Sequence, residues 1–198
     1  MAKPSASGGR KVYVFSVNLD DGPYQPYQLL NIEYGNAPFI RTAAEAVQSA
    51  NDTRGKAFDQ LVADVAAATD AAAIFVGGDF NEPSHRDWTA ATVWAGLQPL
   101  PVQWPGTSKL EAVGMVDTYR AVHPDPVANP GITCTPTTEA SDPEDHHDRI
   151  DFVFAKGPGL KVLGASVVGE ADPAADIVVT PWPSDHRAIV TTVSFSSP

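Results

Sequence analysis

The chain has 198 residues, 43% hydrophobic and 19% charged, a composition that suits one folded domain and excludes a chain that is disordered throughout. Its formal net charge is −11, and its 13 Lys and Arg form no basic run, which disfavours sequence-independent binding to a nucleic-acid backbone. The single cysteine excludes an intrachain disulfide, and no apolar stretch reaches the ~18 residues that a membrane span needs.

The N-terminal part predicts a tail and then a strand. Residues 1–10 are small and polar, lack the apolar core of a signal peptide and are expected to be a disordered tail, which leaves the compartment open. Residues 11–198 are expected to form a single domain. Within it, residues 11–21 predict a strand covered on both sides, because β-branched and aromatic residues occupy both of its faces.

An aromatic segment, residues 20–35, follows this strand and contains two prolines and three tyrosines. It breaks the strand, and its tyrosines either form a substrate-binding loop or pack the loop onto the body. Helices are predicted over 39–50 and 51–70, because apolar residues recur at helical spacing and residues 51–53 offer caps.

The middle of the chain predicts a buried strand over residues 71–80, which ends in GGDF. Ser84 and Asp87 then match a capping box, so a helix of about three turns is expected after Ser84. Residues 114–126 predict a short helix or turn. Residues 129–148 predict a long polar loop, because they combine prolines with many charged and hydroxyl side chains.

The C-terminal part predicts three strands, over residues 149–157, 160–169 and 186–195. Helices and strands alternate early in the chain, whereas strands dominate late. This order predicts an α/β layered sandwich with a mixed sheet.

Polar side chains cluster where three predicted strands begin or end: Asp79 with Asn81, Asp148 and Asp151 around Arg149, and Ser184 with Asp185 and His186. Because an unpaired buried carboxylate is costly, each acid needs a partner or a function. The alternatives are a turn held by Asx hydrogen bonds for the first cluster, a solvated loop for the second and an ordinary strand start for the third.

Asp151 occupies an unusual position in its strand. Ile150, Phe152 and Phe154 share one face, so Asp151 lies on the other. Since an acid in an apolar strand requires a cationic or hydrogen-bonding partner, His186 is the candidate. An Asp–His pair fixes the imidazole tautomer and orients the ring for proton transfer.

The remaining clustered residues suit phosphate chemistry. Asp79 and Asp185 can hold a water molecule or a hard divalent cation, which favours oxygen ligands. Asn81 can donate a hydrogen bond to a phosphoryl oxygen. Arg149 can contact a phosphate or pair with a neighbouring acid, and the sequence does not choose between the two.

Five motifs, GGDFNEP, MVDTYRAVHPD, PGIT, DRIDFVF and PSDHRAIV, occur in the order and approximate spacing of one known family. The chain resembles the endonuclease/exonuclease/phosphatase superfamily, also called DNase I-like, over about residues 12–195. The resemblance implies a DNase I-like α/β sandwich with mixed β-sheets and an active site at the strand ends. It also implies hydrolysis of a phosphoester by water attack on phosphorus, with Mg²⁺ or Mn²⁺ as cofactor.

The same resemblance implies roles for the clustered residues. Asp79 would orient or deprotonate the attacking water, Asn81 would bind the phosphate, and Asp185, with Asp79, would hold the metal. His186 would contact the phosphoryl group or transfer a proton, oriented by Asp151. The resemblance does not settle whether Asp79 or His186 takes the proton.

The chain departs from the family pattern at Asn18, which stands where many members have a histidine at a strand end. We keep Asn18 as a candidate catalytic position, because Asn can donate a hydrogen bond to phosphate. It cannot carry a proton near pH 7, so leaving-group protonation would be slower or would use another acid. The alternative is that Asn18 only satisfies the end of a strand.

A second departure concerns the start of the chain. The family begins with a strand, a helix and a strand that ends in a metal-binding Glu, and no such segment is found before Lys11; Glu33 is the right type of residue in the wrong place. We therefore expect the family's N-terminal portion to be missing or shortened. This predicts an uncovered apolar sheet surface, self-association through that surface, and weak metal binding.

The functional prediction is a metal-dependent phosphoester hydrolase, of phosphodiesterase or phosphatase type, acting on a small or lipid-like phosphoester. The acidic charge disfavours a nucleic-acid substrate. The alternative is a catalytically impaired family member that binds a phosphate ligand or a partner protein. A structural α/β domain with coincidental motifs is the third hypothesis.

Overall fold

The computed structural model describes residues 5–7 and 10–195 of the chain. The strands are β1 (Ser5–Ser7), β2 (Arg10–Asn18), β3 (Ala71–Asp79), β4 (Val116–Asp117), β5 (Asp151–Lys156), β6 (Lys161–Gly169), β7 (Ile177–Val178) and β8 (Ala188–Ser194). The helices are α1 (Gln25–Leu30), α2 (Ala43–Ala67), α3 (Ala90–Trp94), α4 (Pro105–Ala112) and α5 (Thr118–Val122).

Both sheets are mixed. The larger has the order β1-β2-β3-β5-β4, in which β2 and β3 are parallel and β3 and β5 antiparallel. The smaller has the order β7-β6-β8, with β6 and β7 parallel and β6 and β8 antiparallel. The predicted α/β sandwich with mixed sheets is therefore confirmed.

The register of the larger sheet places three strand ends side by side. Asn18 at the end of β2 pairs with Asp79 at the end of β3, and Asp79 pairs with Asp151 at the start of β5. The parallel β2 and β3 need a long crossover, which α1 and α2 supply. The sheet itself thus gathers polar side chains at one of its edges.

Helix α2 covers the larger sheet and forms the main core with it. Its Phe58, Leu61 and Val65 recur at helical spacing and are buried. They pack against apolar side chains of the sheet and the segment after β3, including Phe80 and Phe154. This core fixes β3 and β5, and therefore the strand ends described above.

The predicted boundary between two helices at residues 50 and 51 is wrong, because α2 runs through it for 25 residues. Asn51 Nδ2 donates to the Val47 carbonyl at 2.9 Å, so this side chain bonds back to the preceding turn inside the helix. The actual cap is Thr42, which forms a capping box with Glu45.

Other local predictions also differ from the structure. Ser84 starts a turn, and the next helix, α3, has only five residues and is capped by Thr89 and Thr92. The proline-rich break contains α1, with Pro26 in its first turn, where the missing N–H costs little. Helix α4 has no counterpart among the predicted elements.

The tail predicted to be disordered is in part a strand, since β1 pairs with β2. The rest of that prediction, at residues 1–4 and 8–9, lies outside the described residues, as do residues 196–198. Among the described residues, no helix combines the length and apolar character required to cross a bilayer.

Candidate active site

Three side chains from separate segments converge at the edge where β2, β3 and β5 meet. Asp79 ends β3 and Asp151 begins β5, whereas His186 belongs to the segment before β8. A β-bridge between Cys134 and His186 holds that segment against the polar loop. Donor atoms of Asp79, Asp151 and His186 all lie within 4.8 Å of one another, and we call these residues the triad.

Asp151 and His186 form the pair that the sequence predicts. His186 Nδ1 lies 2.9 Å from Asp151 Oδ2, and both side chains are half-buried. The hydrogen bond to Asp151, helped by contact with Cys134, raises the pKa of His186 to about 11. His186 is therefore an imidazolium near neutral pH, so both ring nitrogens carry hydrogen and the ring is a donor.

Asp79 is held by Asn81, two residues further along the chain. The Asn81 backbone N–H donates to Asp79 Oδ1 at 2.8 Å, and Asn81 Nδ2 donates to Asp79 Oδ2 at 2.9 Å. Burial raises the pKa of Asp79, and the nearby Asp151 charge raises it further. The carboxylate is therefore fixed in orientation and more basic than an exposed aspartate.

The side-chain amide of Asn81, predicted to bind phosphate, instead positions Asp79 in this structure. Besides Asp79, Asn81 Nδ2 donates to the Leu19 carbonyl at 2.9 Å, so both amide hydrogens are used within the protein. Asn81 lines the cleft beside the triad, but it must exchange one of these bonds before it can donate to a phosphate.

A cleft of about 470 Å³ opens beside the triad. Asn18 and Asp185, predicted as catalytic and metal-binding residues, line it with exposed side chains. The Asp185 carboxylate is not one of the donors grouped within 4.8 Å, so it lies on the rim and outside the triad. The remaining lining residues are Leu19, Asp20, Asp21, Tyr24, Tyr27, Tyr34, Asp79, Asn81, Cys134, Ile150 and His186.

The structure corrects the predicted role of Arg149 in phosphate binding. It is 1% exposed, does not line the cleft, and pairs with Asp87 and Asp117 at 2.9 and 2.7 Å. Of the two alternatives, phosphate contact or pairing with an acid, the structure shows the pairing. Its guanidinium donates four hydrogen bonds to these two buried carboxylates, through Nε, Nη1 and Nη2, and is therefore directed away from the cleft.

Asp148 has a role that the sequence interpretation of a solvated loop missed. It is 1% exposed and accepts hydrogen bonds from Tyr24 Oη and Trp88 Nε1, both at 2.8 Å. It therefore ties the aromatic segment to the loop behind the triad. The only sequence signal is the mixture of aromatic and acidic residues in two distant segments, which does not indicate their contact.

The triad fits a hard divalent cation by the chemistry of its donors. Asp79 and Asp151 supply carboxylate oxygens, and Asp185 adds a third carboxylate at the rim. His186 is engaged through Nδ1 with Asp151, so the carboxylates are the donors that suit a hard cation best. Within residues 5–7 and 10–195, no other group of three such donors is close enough to hold a metal.

Comparisons with known proteins identify relatives for nearly the whole chain. The model of the "Endonuclease/Exonuclease/phosphatase family" matches residues 8–186. An uncharacterized Caenorhabditis elegans protein is 30% identical over 212 residues, which cover 94% of this chain and 61% of that protein. The chain thus spans less than two thirds of this relative's length.

Two solved structures are also similar. One is an endonuclease/exonuclease/phosphatase family protein from Leptotrichia buccalis, 17% identical, with a TM-score of 0.45 over 97% of this chain and 52% of that chain. The other is truncated Caenorhabditis elegans TDP2, 18% identical, with a TM-score of 0.46 over 96% of this chain and 56% of that chain.

Proposed function

Because this chain belongs to the endonuclease/exonuclease/phosphatase family, we propose that it is a metal-dependent phosphoester hydrolase that directs a water molecule at phosphorus. Members of this family hydrolyse phosphoester bonds and generally use a divalent metal. The observation that carries the proposal is the convergence of Asp79, Asp151 and His186 from three separate segments. A chance match of short motifs would give no reason for their side chains to meet.

In this proposal, the directions of the two pKa shifts support a division of roles between Asp79 and His186. Asp79 is a carboxylate with a raised pKa, so in this proposal it accepts the proton of the attacking water. His186 is already protonated near neutral pH, so it donates a hydrogen bond to a phosphoryl oxygen and stabilises its growing negative charge. Asp151 keeps the imidazolium charged and oriented.

A bound divalent cation would be held by Asp79, Asp185 and Asp151 and would supply neutralisation of charge on the phosphoryl oxygens. We propose Mg²⁺ or Mn²⁺, because the donors are carboxylate oxygens. Asn81 keeps the plane of the Asp79 carboxylate constant throughout.

Asn18 sets the kind of ester that this site favours. It lies beside Asp79 in the sheet register, where it can donate a hydrogen bond to the substrate but cannot supply a proton. Esters with a good leaving group do not need that proton. We therefore expect p-nitrophenyl esters to react much faster than alkyl esters.

The test is hydrolysis of bis-p-nitrophenyl phosphate and p-nitrophenyl phosphate with Mg²⁺ or Mn²⁺. Asp79→Asn should lower the rate by about 10²–10⁴-fold, the typical effect of losing a proton-transfer group. His186→Ala should lower it by about 10²–10³-fold, the effect of removing one donor to a developing oxyanion. EDTA should abolish the activity. His147→Ala is the matched control, since this histidine lies in the polar loop and contacts Thr138 outside the cleft.

Loss of rate in both triad variants, with the control unaffected, would support the proposal. A folded wild-type chain with no metal-dependent activity above that of His186→Ala would contradict it. Circular dichroism of each variant shows whether its secondary structure is retained, which distinguishes loss of the site from loss of the fold.

A further inference from the structure

One wall of the cleft is aromatic, and the reaction proposed above makes no use of it. Tyr24, Tyr27 and Tyr34 stand edge to face, with centroid distances of 5.0 Å for the first pair and 5.8 Å for the second. Tyr24 is buried, whereas Tyr34 is 42% exposed and Tyr27 is intermediate. The outer two rings therefore present surface to whatever enters the cleft.

Each tyrosine is anchored through its hydroxyl to a carboxylate. Tyr24 donates to Asp148 at 2.8 Å, Tyr34 donates to Asp21 at 2.7 Å, and Tyr27 donates to Asp145. These bonds fix the rings and keep the phenols neutral. The hydrogen bond to Asp21, followed by burial, raises the pKa of Tyr34 to about 12.

The charges around this wall are negative. Asp20, Asp21, Asp79 and Asp185 line the cleft, and the residues lining it include no Lys or Arg. His186, the cationic group in this lining, is paired with Asp151. Neither Asp20 nor Asp21 forms an ion pair with any residue in the described part of the chain. A polyanionic chain would place its neighbouring phosphates against these carboxylates, whereas a cation would be attracted to them.

Aromatic rings and carboxylates together match one class of ligand. The face of a tyrosine ring carries negative potential and attracts a cation within ~6 Å of its centroid. Quaternary ammonium groups are bound in this way, because they are large, weakly hydrated and cannot be held by hydrogen bonds alone. The volume of about 470 Å³ accommodates such a group beside the triad.

We propose that the cleft lined by Tyr27, Tyr34 and Asp21 is the subsite for the organic group of the substrate, and that this group carries an ammonium charge. The inference rests on the proposed phosphoesterase function, whose triad would act on the attached phosphate. The subsite uses none of the residues assigned to the metal, so the two can be tested separately.

The first test is binding without turnover, in EDTA. Choline and 3,3-dimethylbutan-1-ol have the same shape and differ in the charge, and their affinities are measured by titration of the tyrosine fluorescence. Choline should bind at least about tenfold more tightly, which corresponds to one cation–π contact and one partly screened carboxylate. Equal affinities would overturn the inference.

Variants locate the binding. Tyr34→Leu and Asp21→Asn should each weaken choline binding about fivefold to tenfold, whereas Tyr34→Phe, which keeps the ring, should retain most of it. Tyr13→Leu is the matched control, because Tyr13 lies on β2 and bonds Asp70 away from the cleft. Choline binding that survives Tyr34→Leu and Asp21→Asn would also overturn the inference.

The second test uses two esters, p-nitrophenyl phosphocholine and p-nitrophenyl 3,3-dimethylbutyl phosphate. The charged ester should show a KM about tenfold lower, and Tyr34→Leu should bring the ratio of the two KM values close to one. Hydrolysis of both esters without preference would overturn the subsite and leave the phosphoesterase proposal intact. Choline binding without hydrolysis of either ester would contradict the phosphoesterase and leave the binding site intact.

Discussion

At the scale of single residues, the end of β3 depends on two unusual backbone conformations. Gly78 has a φ of +135°, and a Cβ there would lie 2.0 Å from the Val17 carbonyl oxygen, so only glycine fits. Asn81 has a φ of 49°, a left-handed conformation that Asn tolerates better than most residues. Together they turn the chain so that Asn81 folds back onto Asp79.

The Asp151–His186 pair gives a prediction at this scale. Asp151→Asn should lower the pKa of His186 from about 11 towards its ordinary value of 6.5, because the main hydrogen-bonding charge is removed. The titration of the His186 ring is followed by NMR in EDTA. Glu139→Gln, an exposed carboxylate in the polar loop, is the control and should leave that titration unchanged.

The same variant predicts how stability depends on pH. A pKa that is raised in the folded state stabilises it fully below the unfolded value of 6.5, and this contribution is lost as pH rises through about 11. Asp151→Asn should therefore lower the free energy of unfolding by about 1–3 kcal/mol near pH 6.5, after a discount for the partial exposure of the ring. The difference from wild type should shrink by pH 10.5, and a constant difference across this range would contradict the assignment.

At the scale of secondary-structure elements, a buried ionic cluster joins β4, α5 and the loop after β3 to the start of β5. Arg149 pairs with Asp87 and Asp117, and Arg120 also pairs with Asp87 at 2.6 Å. Asp117 in addition caps α5 by accepting from the backbone of Tyr119 and Arg120. These contacts keep β5, and so Asp151, in place beside Asp79.

Arg149→Leu tests whether this residue is structural. It should lower the free energy of unfolding by about 3–5 kcal/mol, because it leaves buried carboxylates without their partner. Arg86→Leu is the matched control: Arg86 pairs with Glu111 at the surface, so the loss should be below about 1 kcal/mol. Urea denaturation measures both. A phosphate-binding role would instead give a raised KM with stability nearly unchanged.

The sequence predicts the strands better than the helices, for physical reasons visible in particular residues. β3 and β5 are short runs of apolar residues bounded by Gly or charged residues, so their patterns are unambiguous. The sequence predicts a break in helix α2 at Asn51, because Asn, Asp and Thr are ordinary cap residues and only their long-range surroundings keep them helical. The sequence does not predict helix α4, because Gly106 and Ser108 weaken its helical pattern. The helix is stabilised by packing on Phe58.

The candidate active site could also be predicted only in part from the sequence. The Asp151–His186 pair could be predicted, because an acid in an apolar strand and a histidine at another strand end are both local signals. The ion-pair partners of Arg149 could not be predicted, because Asp87 and Asp117 lie 62 and 32 residues away in the sequence. The cleft wall formed by Tyr24, Tyr27 and Tyr34 depends on α1. The sequence does not predict this helix, because the two prolines of the segment indicate a break.

At the scale of the whole molecule, the smaller sheet leaves apolar surface uncovered. Val190 on β8 and Leu163 on β6 are 45% and 61% exposed, and both residues of β7 are exposed. β8 lies at the end of the strand order, so within the described residues no strand pairs with its outer edge. Its sequence, AIVTTVS, has no charged residue to deter another strand.

We therefore propose that two copies associate through antiparallel pairing of β8 with β8, in keeping with the self-association expected from the sequence. Sedimentation velocity at about 10–100 μM should show a dimer whose fraction increases with salt concentration, because salt screens the repulsion between two chains of charge −11. Val190→Lys should shift the chain to monomer, since two copies would place like charges close together at the new edge. Val14→Lys is the matched control, because Val14 is 51% exposed on β2 of the other sheet and should leave the dimer intact. A wild-type chain that stays monomeric at 100 μM in high salt, or a dimer that survives Val190→Lys, would contradict this interface.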